Sequence, residues 1–381
     1  MARRTTTQAA VVSRLPPGRR HSNPPLPRDV EWVLMKPTCL LLLPVLSMLP
    51  AAAQVKVTAG PEKVSVVING KPFGDFYVAG KDVTKPYLWP LRAASGTYVT
   101  RMWPMEEVSE EQKMVEEKVV KNDHQHQRGM WFAHDNVNKL DFWNNEASYT
   151  TPNRGKIVLK KIDEVKSGKT KGSVAATFEW SAMSGDAPPI LTESRVMTFY
   201  ADPKDRILDV DITLTALQEV TFGDGKDGVF GIRMRPILIE DKGGTGHISN
   251  ADGLVGEKQL WGKPSNWCDY SGEVNGEKVG IAILDHPDNP RHPVRWHVRA
   301  YGLFAANPFG LSAFTNDKTE NGAITISPGQ SLRYRYRVIV HAGDVQSANI
   351  AGFWEKYAAT SGRYPAASAS NRRPAAAAGG N

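Results

Sequence analysis

Cysteine and long apolar runs are both scarce in this chain. Only Cys39 and Cys268 are cysteines among the 381 residues, so a metal site built from several thiolates is excluded. The apolar run at residues 40–49 is shorter than the roughly 20 residues that a membrane-spanning helix needs. The chain also lacks a glycine-rich nucleotide-binding loop and any repeat at a fixed period. These absences argue against a membrane-embedded protein, a dinucleotide-binding fold and a repeat protein.

Net charge is absent from the body of the chain. The formal net charge is +7, of which residues 1–53 carry +5 and residues 365–381 carry +2, so residues 54–364 are neutral overall. A basic surface is the electrostatic requirement for binding nucleic acid. The sequence therefore predicts no nucleic-acid partner, although the whole-chain isoelectric point is 9.2.

The N-terminal residues have the pattern of an exported protein. A lysine follows Met35, an apolar stretch occupies residues 40–49, and three alanines precede Gln54. A positive start, a short apolar stretch and small residues at the cleavage point are typical of a signal peptide. We expect residues 35–53 to be that peptide and residues 1–34 to be an extension upstream of the true start. The mature protein is then periplasmic or secreted, with no membrane span.

The rest of the chain is predicted to form one domain and a tail. Residues 365–381 are rich in Ala, Ser, Gly and Pro and are expected to be disordered, because they have little to bury. Residues 54–364 are the predicted domain. Once Cys39 is removed with the signal peptide, Cys268 has no disulfide partner within the chain, so the domain must rely on its core.

Alternating apolar and polar residues dominate the predicted domain. Strand patterns occur at residues 64–69, 156–165, 173–181, 207–217, 279–284 and 332–341. In residues 207–217 every second side chain is apolar, which is typical of a half-buried antiparallel strand. Helical patterns occur only at residues 106–120 and at residues 344–357, where Asp344 is the expected cap. The fold is therefore predicted to be all-β, a large antiparallel β-sandwich with a short C-terminal helix.

That C-terminal helix is expected to pack on the edge of the sandwich. Its apolar positions include Phe353, Trp354 and Tyr357, which fall on one side of a helix.

Histidine, by contrast, is concentrated in two segments. Residues 123–135 contain His124, His126 and His134 out of nine histidines in the chain. On an extended segment the first two would point the same way, and Arg128 continues that parity. Histidine titrates near neutral pH and serves as acid, base or metal ligand. The cluster therefore indicates a chemically active site.

The second segment, residues 285–297, contains His286, His292 and His297 together with three prolines. Prolines stiffen a loop, and rigid loops on a β scaffold often carry binding groups. We expect the two histidine segments to meet in one site.

Three predicted strands alternate basic with apolar residues, which places the basic set on one face. The sets are Arg233 and Arg235; Arg295, His297, Arg299 and Tyr301; and Arg333, Arg335 and Arg337. The third set is expected on a solvated outer face. The other two are expected to border a groove with the segment around Trp267 and Asp269 and the turn at Asn307. Indoles there would stack on a sugar ring while guanidinium groups bind its hydroxyls.

These segments also carry a family resemblance. The motifs are WPLRAASGTYVTRMWP, DHQHQRGMWFAHDNVNKLDFW, GVFGIRMRP, WCDYSG and DHPDNPRHPVRWHVRAYGLFAANPFG. Over residues 60–358 the chain resembles a bacterial family of exported proteins labelled methane oxygenase PmoA, or PmoA-like. The resemblance implies one β-sandwich domain, similar to galactose-mutarotase-like supersandwiches. A membrane methane oxygenase subunit needs several spanning helices, which this chain lacks, so the label does not give the expected activity.

The predicted function is carbohydrate chemistry based on histidine. His126 or His134 would be the general acid or base, and Asp141 or Asp285 would orient its imidazole. The candidate catalytic residues are His124, His126, His134, Asp141 and Asp285. The candidate substrate-binding residues are Arg128, Trp131, Trp143, Arg233, Trp267, Asp269, His286, Arg291, His292, His297, Arg299, Tyr301 and Asn307. The sequence does not choose between an epimerase, a lyase and a hydrolase, and it leaves the oligomeric state open.

Two alternatives remain at this point. The same groove would serve a non-catalytic carbohydrate-binding protein, in which the histidines only donate hydrogen bonds. A metalloenzyme would place a metal ion on His124, His126 and His134, with Glu193 as another possible ligand. No cofactor or metal is expected by default, because Arg128 beside His126 would repel a cation.

Overall fold

The computed structural model describes residues 54–106 and 124–360. The predicted extension, signal peptide, C-terminal tail and most of the helix predicted over residues 106–120 lie outside these residues. Within them, no helix is long and apolar enough to cross a membrane.

β-Strands are the predominant secondary structure of the described chain, as the alternating sequence pattern predicts. The first nine are β1 (Val55–Ala59), β2 (Lys63–Ile68), β3 (Lys71–Tyr77), β4 (Tyr87–Trp89), β5 (Met130–His134), β6 (Gly155–Lys166), β7 (Lys171–Ala182), β8 (Leu191–Tyr200) and β9 (Arg206–Ala216). The others are β10 (Val220–Phe222), β11 (Gly228–Arg233), β12 (His247–Asn250), β13 (Trp267–Val274), β14 (Glu277–Asp285), β15 (Arg295–Val298), β16 (Leu303–Asn307), β17 (Ile324–Ile326) and β18 (Ser331–Ala342).

Helices are few and short in the described residues. They are a 3-10 turn at Pro236–Leu238 and the helices α1 (Glu257–Leu260), α2 (Leu311–Thr315) and α3 (Ile350–Ala358).

The strands form two eight-stranded antiparallel sheets. Sheet 1 has the order β1-β2-β3-β4-β5-β11-β16-β15, and sheet 2 has the order β12-β13-β14-β18-β9-β8-β7-β6. Strands β10 and β17 form a separate pair. The predicted antiparallel β-sandwich with a short C-terminal helix is confirmed.

Aromatic side chains join the inner faces of the two sheets. Phe132 of sheet 1 lies 5.9 Å from Tyr334 of sheet 2, and Phe230 stacks on Tyr336 with ring centroids 4.6 Å apart. Each of these four residues is at most 1% exposed. Offset and edge-to-face aromatic pairs add about 0.5–1.5 kcal/mol each to the stabilisation from burial alone. Since side chains alternate along a strand, the neighbours of these residues point away from the core.

The core also holds an ion pair. Arg195 donates to Glu193 at 2.6 Å, and the indole of Trp180 donates to the same carboxylate at 2.9 Å. Glu193 is fully buried between Arg195 and Trp180, so it is held away from the histidines for which it was a possible co-ligand.

The outer face of sheet 2 carries the third basic set. Arg333 pairs with Asp211 and Arg337 pairs with Asp209, across the neighbouring strands β18 and β9. The prediction of a solvated face was wrong for two of the three arginines: Arg335 is 7% exposed, and Arg337 lies against the ring of Tyr357 in α3.

The C-terminal helix begins later than predicted and lies elsewhere. Asn349, not Asp344, caps α3, because its side chain accepts a hydrogen bond from the Gly352 amide. Asp344 instead binds the amide of Ser347 at 2.8 Å in the preceding turn. Tyr357 and its neighbours pack against apolar residues of β13, β14 and β18. The helix thus covers the outer face of sheet 2 rather than the edge of the sandwich.

Candidate functional site

A cavity lies on the outer face of sheet 1. Phe132 points into the core, so the adjacent Trp131 points outward, where its ring lies 4.9 Å from that of Trp143. Gly231 sits opposite Trp131 on β11, and a Cβ at this position would lie only 2.9 Å from the Trp143 ring. The missing side chain leaves room for the second indole, which forms one wall of the cavity.

This space, here named the imidazole cavity, encloses about 250 Å³. Its lining residues are His124, His126, Gln127, Trp143, Asn144, Lys226, Asp227, His297, Arg299 and Tyr301. Apart from the indole they are hydrogen-bonding or charged groups. Small-molecule sites combine an apolar surface with a few placed polar groups, and this lining has both.

His126 contributes a buried imidazole to the cavity. Its Nδ1 lies 3.1 Å from the hydroxyl of Tyr149, whereas its Nε2 has no hydrogen-bond partner among the described residues. Burial lowers the pKa of His126 well below its usual range, and the charges of Lys85 and other nearby cations act in the same direction. The ring is therefore neutral at physiological pH.

The segment around His126 is a turn whose backbone is held by the side chain of Arg101. Arg101 donates to the carbonyl oxygens of His124 at 2.7 Å and of Gln127 at 3.1 Å. His124 has a positive φ of 41°, so the residues form a turn rather than a strand. Its ring stacks on Tyr301 at 5.1 Å, which brings the first histidine segment against the strand end after β15.

His297 provides a second buried imidazole, from β15. Its Nδ1 faces the Asp227 carboxylate at 3.6 Å and has no hydrogen-bond partner in the described residues. Burial lowers the pKa of His297 to about 4, although Asp227 opposes the shift. Lys226 in turn pairs with Asp227 at 2.9 Å. The arrangement is a neutral imidazole beside a carboxylate, which would stabilise the imidazolium formed by proton uptake.

The loop at residues 223–227, which carries Lys226 and Asp227, is held in place by side chains that hydrogen-bond to its backbone. Asn307 donates to the carbonyl oxygens of Gly225 at 2.9 Å and Lys226 at 2.8 Å. His134 lies 2.8 Å from the carbonyl oxygen of Gly223. These contacts fix the backbone at three positions and so set where the Asp227 carboxylate stands.

Asp135 also holds this loop and is itself a perturbed acid. Its carboxyl accepts the amide of Asp227 at 3.2 Å. Burial, reinforced by the charge of Asp227, raises the pKa of Asp135 to about 7. The same burial lowers the pKa of the neighbouring His134 to about 4.

Cationic and aromatic side chains line the side of the cavity near Tyr301. Arg233, only 4% exposed, lies over the Tyr301 ring at 4.6 Å and donates to Gln127. Arg299 pairs with Glu257 at 3.0 Å and also approaches Tyr301. Burial raises the pKa of the Tyr301 phenol, which therefore stays protonated. The predicted co-facial residues Arg233, His297, Arg299 and Tyr301 do come together.

Several residues of the first predicted set have other positions. His134 is two residues from Phe132 and so points to the core side of sheet 1, where its ring lies 4.7 Å from Phe309. The sheet therefore separates it from His126, and it cannot share an acid–base or metal-binding role with that residue. Trp131 is completely buried behind Trp143 and supports it.

Asp141 and Arg128 are structural neighbours of the cavity. Asp141 accepts the amides of Trp143 at 2.9 Å and Asn144 at 2.7 Å, so it orders the turn that carries both lining residues rather than an imidazole. Arg128 forms a two-bond ion pair with Glu146.

The second histidine segment divides between the two sheets. Residues between β14 and β15 cross from sheet 2 to sheet 1, and only His297 reaches the cavity. Asp285 is fully buried and binds His292 at 2.7 Å, while the ring of His286 meets Tyr357 of α3. The two histidine segments were expected to form one site, but His297 is the only residue of the second segment, residues 285–297, that lines the cavity.

Three further predicted binding residues lie away from the cavity. Trp267 packs under α3, and Asp269 binds His341 at 2.7 Å, both on the outer side of sheet 2. Arg291 donates to the carbonyl oxygens of Pro308 and Gly322.

Asp227, Lys226, Asn144 and Tyr149 were not predicted from the sequence. Asp227 belongs to the run Asp224-Gly225-Lys226-Asp227, a turn signal just before a strand. Lys85 was missed as well. It is 3% exposed, donates to the Trp143 carbonyl oxygen at 2.9 Å, and burial lowers its pKa to about 7. Only its place within a nearly apolar segment would have indicated that it is buried.

In residues 54–106 and 124–360, no three His, Cys, Asp or Glu side chains form a group that could hold a metal ion. The trio of His124, His126 and His134 is divided by sheet 1, so it does not form a coordination set.

Comparison with known proteins places the chain in a family. Residues 63–355 match a family of unknown function, DUF6807. The chain belongs to this family. No curated protein matches the chain.

Similar solved structures include a galactose mutarotase-like protein from Clostridium acetobutylicum, with 10% identity, a TM-score of 0.39, and coverage of 76% of this chain and 99% of that one. A galactose mutarotase-like protein from Lactobacillus casei has 7% identity, a TM-score of 0.30, and coverage of 75% and 100%. An alpha-galactosidase from Geobacillus stearothermophilus has 9% identity, a TM-score of 0.38, and coverage of 77% and 42%.

Proposed function

We propose that the imidazole cavity binds a sugar or modified sugar and that its histidines carry out proton transfer on it. The observation that carries the proposal is the pair of imidazole nitrogens, Nε2 of His126 and Nδ1 of His297, which are buried without a partner in the described residues. A buried polar group left in this state costs about 1–3 kcal/mol. A ligand rich in hydroxyl groups would satisfy both nitrogens.

The remaining lining supports the same ligand class. The indole of Trp143 offers an apolar face for the C–H side of a sugar ring, while Asn144, Gln127 and Lys226 offer hydrogen bonds to its edge. A volume of about 250 Å³ suits one sugar ring rather than a polymer enclosed on all sides.

His297 and Asp227 form the acid–base pair in this proposal. The neutral His297 takes a proton from a sugar hydroxyl, and the Asp227 carboxylate stabilises the imidazolium. When that hydroxyl is the anomeric one, return of the proton to the ring oxygen breaks the bond between C1 and the ring oxygen and forms the C1 carbonyl of the open-chain sugar, so that atoms and electrons balance. His126, held by Tyr149, binds and orients the reacting hydroxyl. His297 thus takes the role that the sequence had suggested for His134.

Turnover of a panel of free sugars and glycosides by three variants tests this proposal. His297→Asn should lower turnover by about 10²–10⁴-fold, the range for a lost acid–base group, whereas His126→Gln should raise KM because it removes a group that binds the reacting hydroxyl. His247→Asn is the matched control, because His247 is exposed on β12. Equal turnover in all variants and the wild type would remove both histidines from the mechanism.

A non-catalytic sugar-binding protein is the second candidate. The lowered pKa of both histidines favours this candidate, because a neutral imidazole can both donate a hydrogen bond and accept one. Sugar binding by the wild type without turnover, weakened in the same two variants, would select this candidate. We also propose that no metal takes part, and elemental analysis of untagged protein would reveal a stoichiometric ion if one does.

Export remains part of the proposal. Cleavage after Ala53 would leave Gln54 as the first residue of the mature protein, just before β1. N-terminal sequencing of periplasmic material should find Gln54 first, and a cytoplasmic protein that retains residues 1–34 would contradict it.

A further inference from the structure

A second cavity, like the imidazole cavity, has a lining residue on β15. It encloses about 220 Å³ and is named the arginine cavity; its lining residues are Pro264, Arg291, Pro293, Arg295, Pro308 and Leu311. Arg295 and His297 are two residues apart on β15, so their side chains leave the same face about 7 Å apart. Arg295 lines this cavity and His297 lines the imidazole cavity, so the two spaces are reached from successive outward positions of β15.

Both arginines of this cavity are anchored by backbone carbonyl groups. Arg291 Nη1 donates to Pro308 at 2.8 Å and to Gly322, and its Nη2 donates to Ala323 at 3.2 Å. Arg295 Nη1 donates to the carbonyl oxygen of Gly262 at 2.7 Å. These bonds fix the position of each guanidinium group without neutralising its charge.

Neither charge is balanced by a carboxylate in the described part of the chain. Other arginines on this protein have such partners, for example Arg299 with Glu257 and Arg333 with Asp211, whereas Arg291 and Arg295 have none within 4.0 Å among residues 54–106 and 124–360. Two fixed cations in one small cavity attract an anion, and guanidinium groups match the oxygen geometry of carboxylate, sulfate and phosphate.

We propose that the arginine cavity is an oxyanion subsite and that the ligand is an acidic sugar. Its carboxylate, sulfate or phosphate substituent binds Arg295 and Arg291 while its ring occupies the imidazole cavity. The spacing of about 7 Å along β15 fits a ring and its own substituent or the next residue of a short glycan. The prolines and Leu311 contact the carbon skeleton beside the anion. The subsite stands on its own geometry, whereas the acidic-sugar assignment rests on the proposed function.

Binding of inorganic sulfate tests the subsite alone. The midpoint temperature of unfolding, Tm, is measured in sodium sulfate and in sodium chloride of equal ionic strength. Sulfate should raise the Tm of the wild type by more than that of Arg295→Gln, whose smaller rise reflects the general stabilisation of folded proteins by sulfate. Arg154→Gln is the matched control, because Arg154 also donates to two backbone carbonyl oxygens but lies outside this cavity.

Two results would overturn the subsite: a wild-type Tm that does not respond specifically to sulfate, or an undiminished response in Arg295→Gln. Arg291→Gln removes three backbone contacts and is expected to destabilise the loop, so Arg295→Gln, which loses one, is the deciding variant.

Binding of D-galacturonate and D-galactose then tests the ligand class. We expect the wild type to bind the acid at least tenfold more tightly, Arg295→Gln to lose that preference, and His297→Asn to weaken both sugars alike. Sulfate binding through Arg295 without binding of either sugar would leave the subsite standing and refute the proposed function. If the wild type binds both sugars equally and Arg295→Gln does not change either affinity, the acidic-sugar assignment is refuted. The sugar site itself would still stand.

Discussion

At the scale of single residues, burial determines what each titratable group can do. His126 and His297 are neutral at physiological pH because the cavity walls exclude water from their rings. Burial also favours the neutral form of Asp135, and because this group is an acid, its pKa is raised, to about 7. The cavity is therefore lined by two neutral imidazoles, and Asp135, which supports the Asp227 loop, is a carboxyl that keeps its proton to a higher pH than usual.

The Asp135 carboxyl predicts a pH-dependent stability. Its folded-state pKa of about 7 exceeds the ordinary value of 3.8, so the folded protein holds this proton more tightly than the unfolded chain does. The carboxyl thus makes the protein less stable as pH rises from about 4 to about 7. Asp135→Asn cannot ionise and should gain stability relative to the wild type over that interval, on the order of 1–2 kcal/mol after allowance for partial exposure.

Urea unfolding of both proteins at pH 4.5, 6 and 8 measures this difference. If the difference in free energy of unfolding between Asp135→Asn and the wild type is the same at all three pH values, Asp135 is already ionised in the folded protein, which would contradict the prediction. Glu164→Gln, an exposed substitution on β6, serves as the control for general pH effects.

At the scale of elements, the loop at residues 223–227 joins β10 to β11 and carries Asp227 to the cavity on the outer face of sheet 1. Asn307 lies completely buried at the end of β16 and holds two carbonyl oxygens of that loop. His134 and Asp135, at the end of β5, hold it from the other side. Residues that the sequence suggested as catalytic or substrate-binding, His134 and Asn307, thus act by placing Asp227.

Asn307→Asp should weaken sugar binding as well as stability. The substitution keeps the shape of the side chain but sets a carboxylate against the carbonyl oxygens of Gly225 and Lys226, which costs about 1–3 kcal/mol for each lost bond. Displacement of the loop moves Asp227 and should lower sugar affinity, measured by calorimetry. A stability loss with unchanged affinity would mean that Asn307 does not position the site.

The helix α3 gives the opposite prediction. Tyr357 is buried against the outer face of sheet 2, while the imidazole cavity lies on the outer face of sheet 1. Tyr357→Ala should lower the free energy of unfolding by about 3 kcal/mol, as for other large aromatic truncations. Sugar affinity at a temperature where the variant is folded should be unchanged, as in the exposed control Glu355→Ala. A large loss of affinity in Tyr357→Ala would link this helix to the site.

At the scale of the whole molecule, local patterns predicted the strands but not how the sheets divide them. The strand predicted at residues 207–217 is β9 at Arg206–Ala216, because period-two alternation is a local property of the sequence. His297, Arg299 and Tyr301, which the same parity grouped, do line one cavity, but β15 ends at Val298 and the last two lie in the turn that follows it. The extended geometry assumed for His124, His126 and Arg128 was wrong, because these residues lie in a turn before β5 begins, and only the two histidines line the cavity.

Long-range pairing accounts for the remaining differences. Asp285 and His297 are twelve positions apart, yet β14 belongs to sheet 2 and β15 to sheet 1, so only one of them reaches the cavity. Asp227 meets His297 because β11 and β16 are neighbours in sheet 1, a sheet order that no local pattern contains. The co-facial residues were enough to suggest a sugar site, whereas the proposed acid–base pair of His297 and Asp227 could be named only from the fold.

The central claim is that one cavity between His126 and His297 holds the sugar. The most direct measurement is the nitrogen NMR spectrum of the histidine rings during titration with a sugar that binds. The account predicts that the signals of His126 and His297 shift on saturation, while those of His134, His286 and His341 stay in place. Shifts at His286 or His341 with none at His126 and His297 would contradict it.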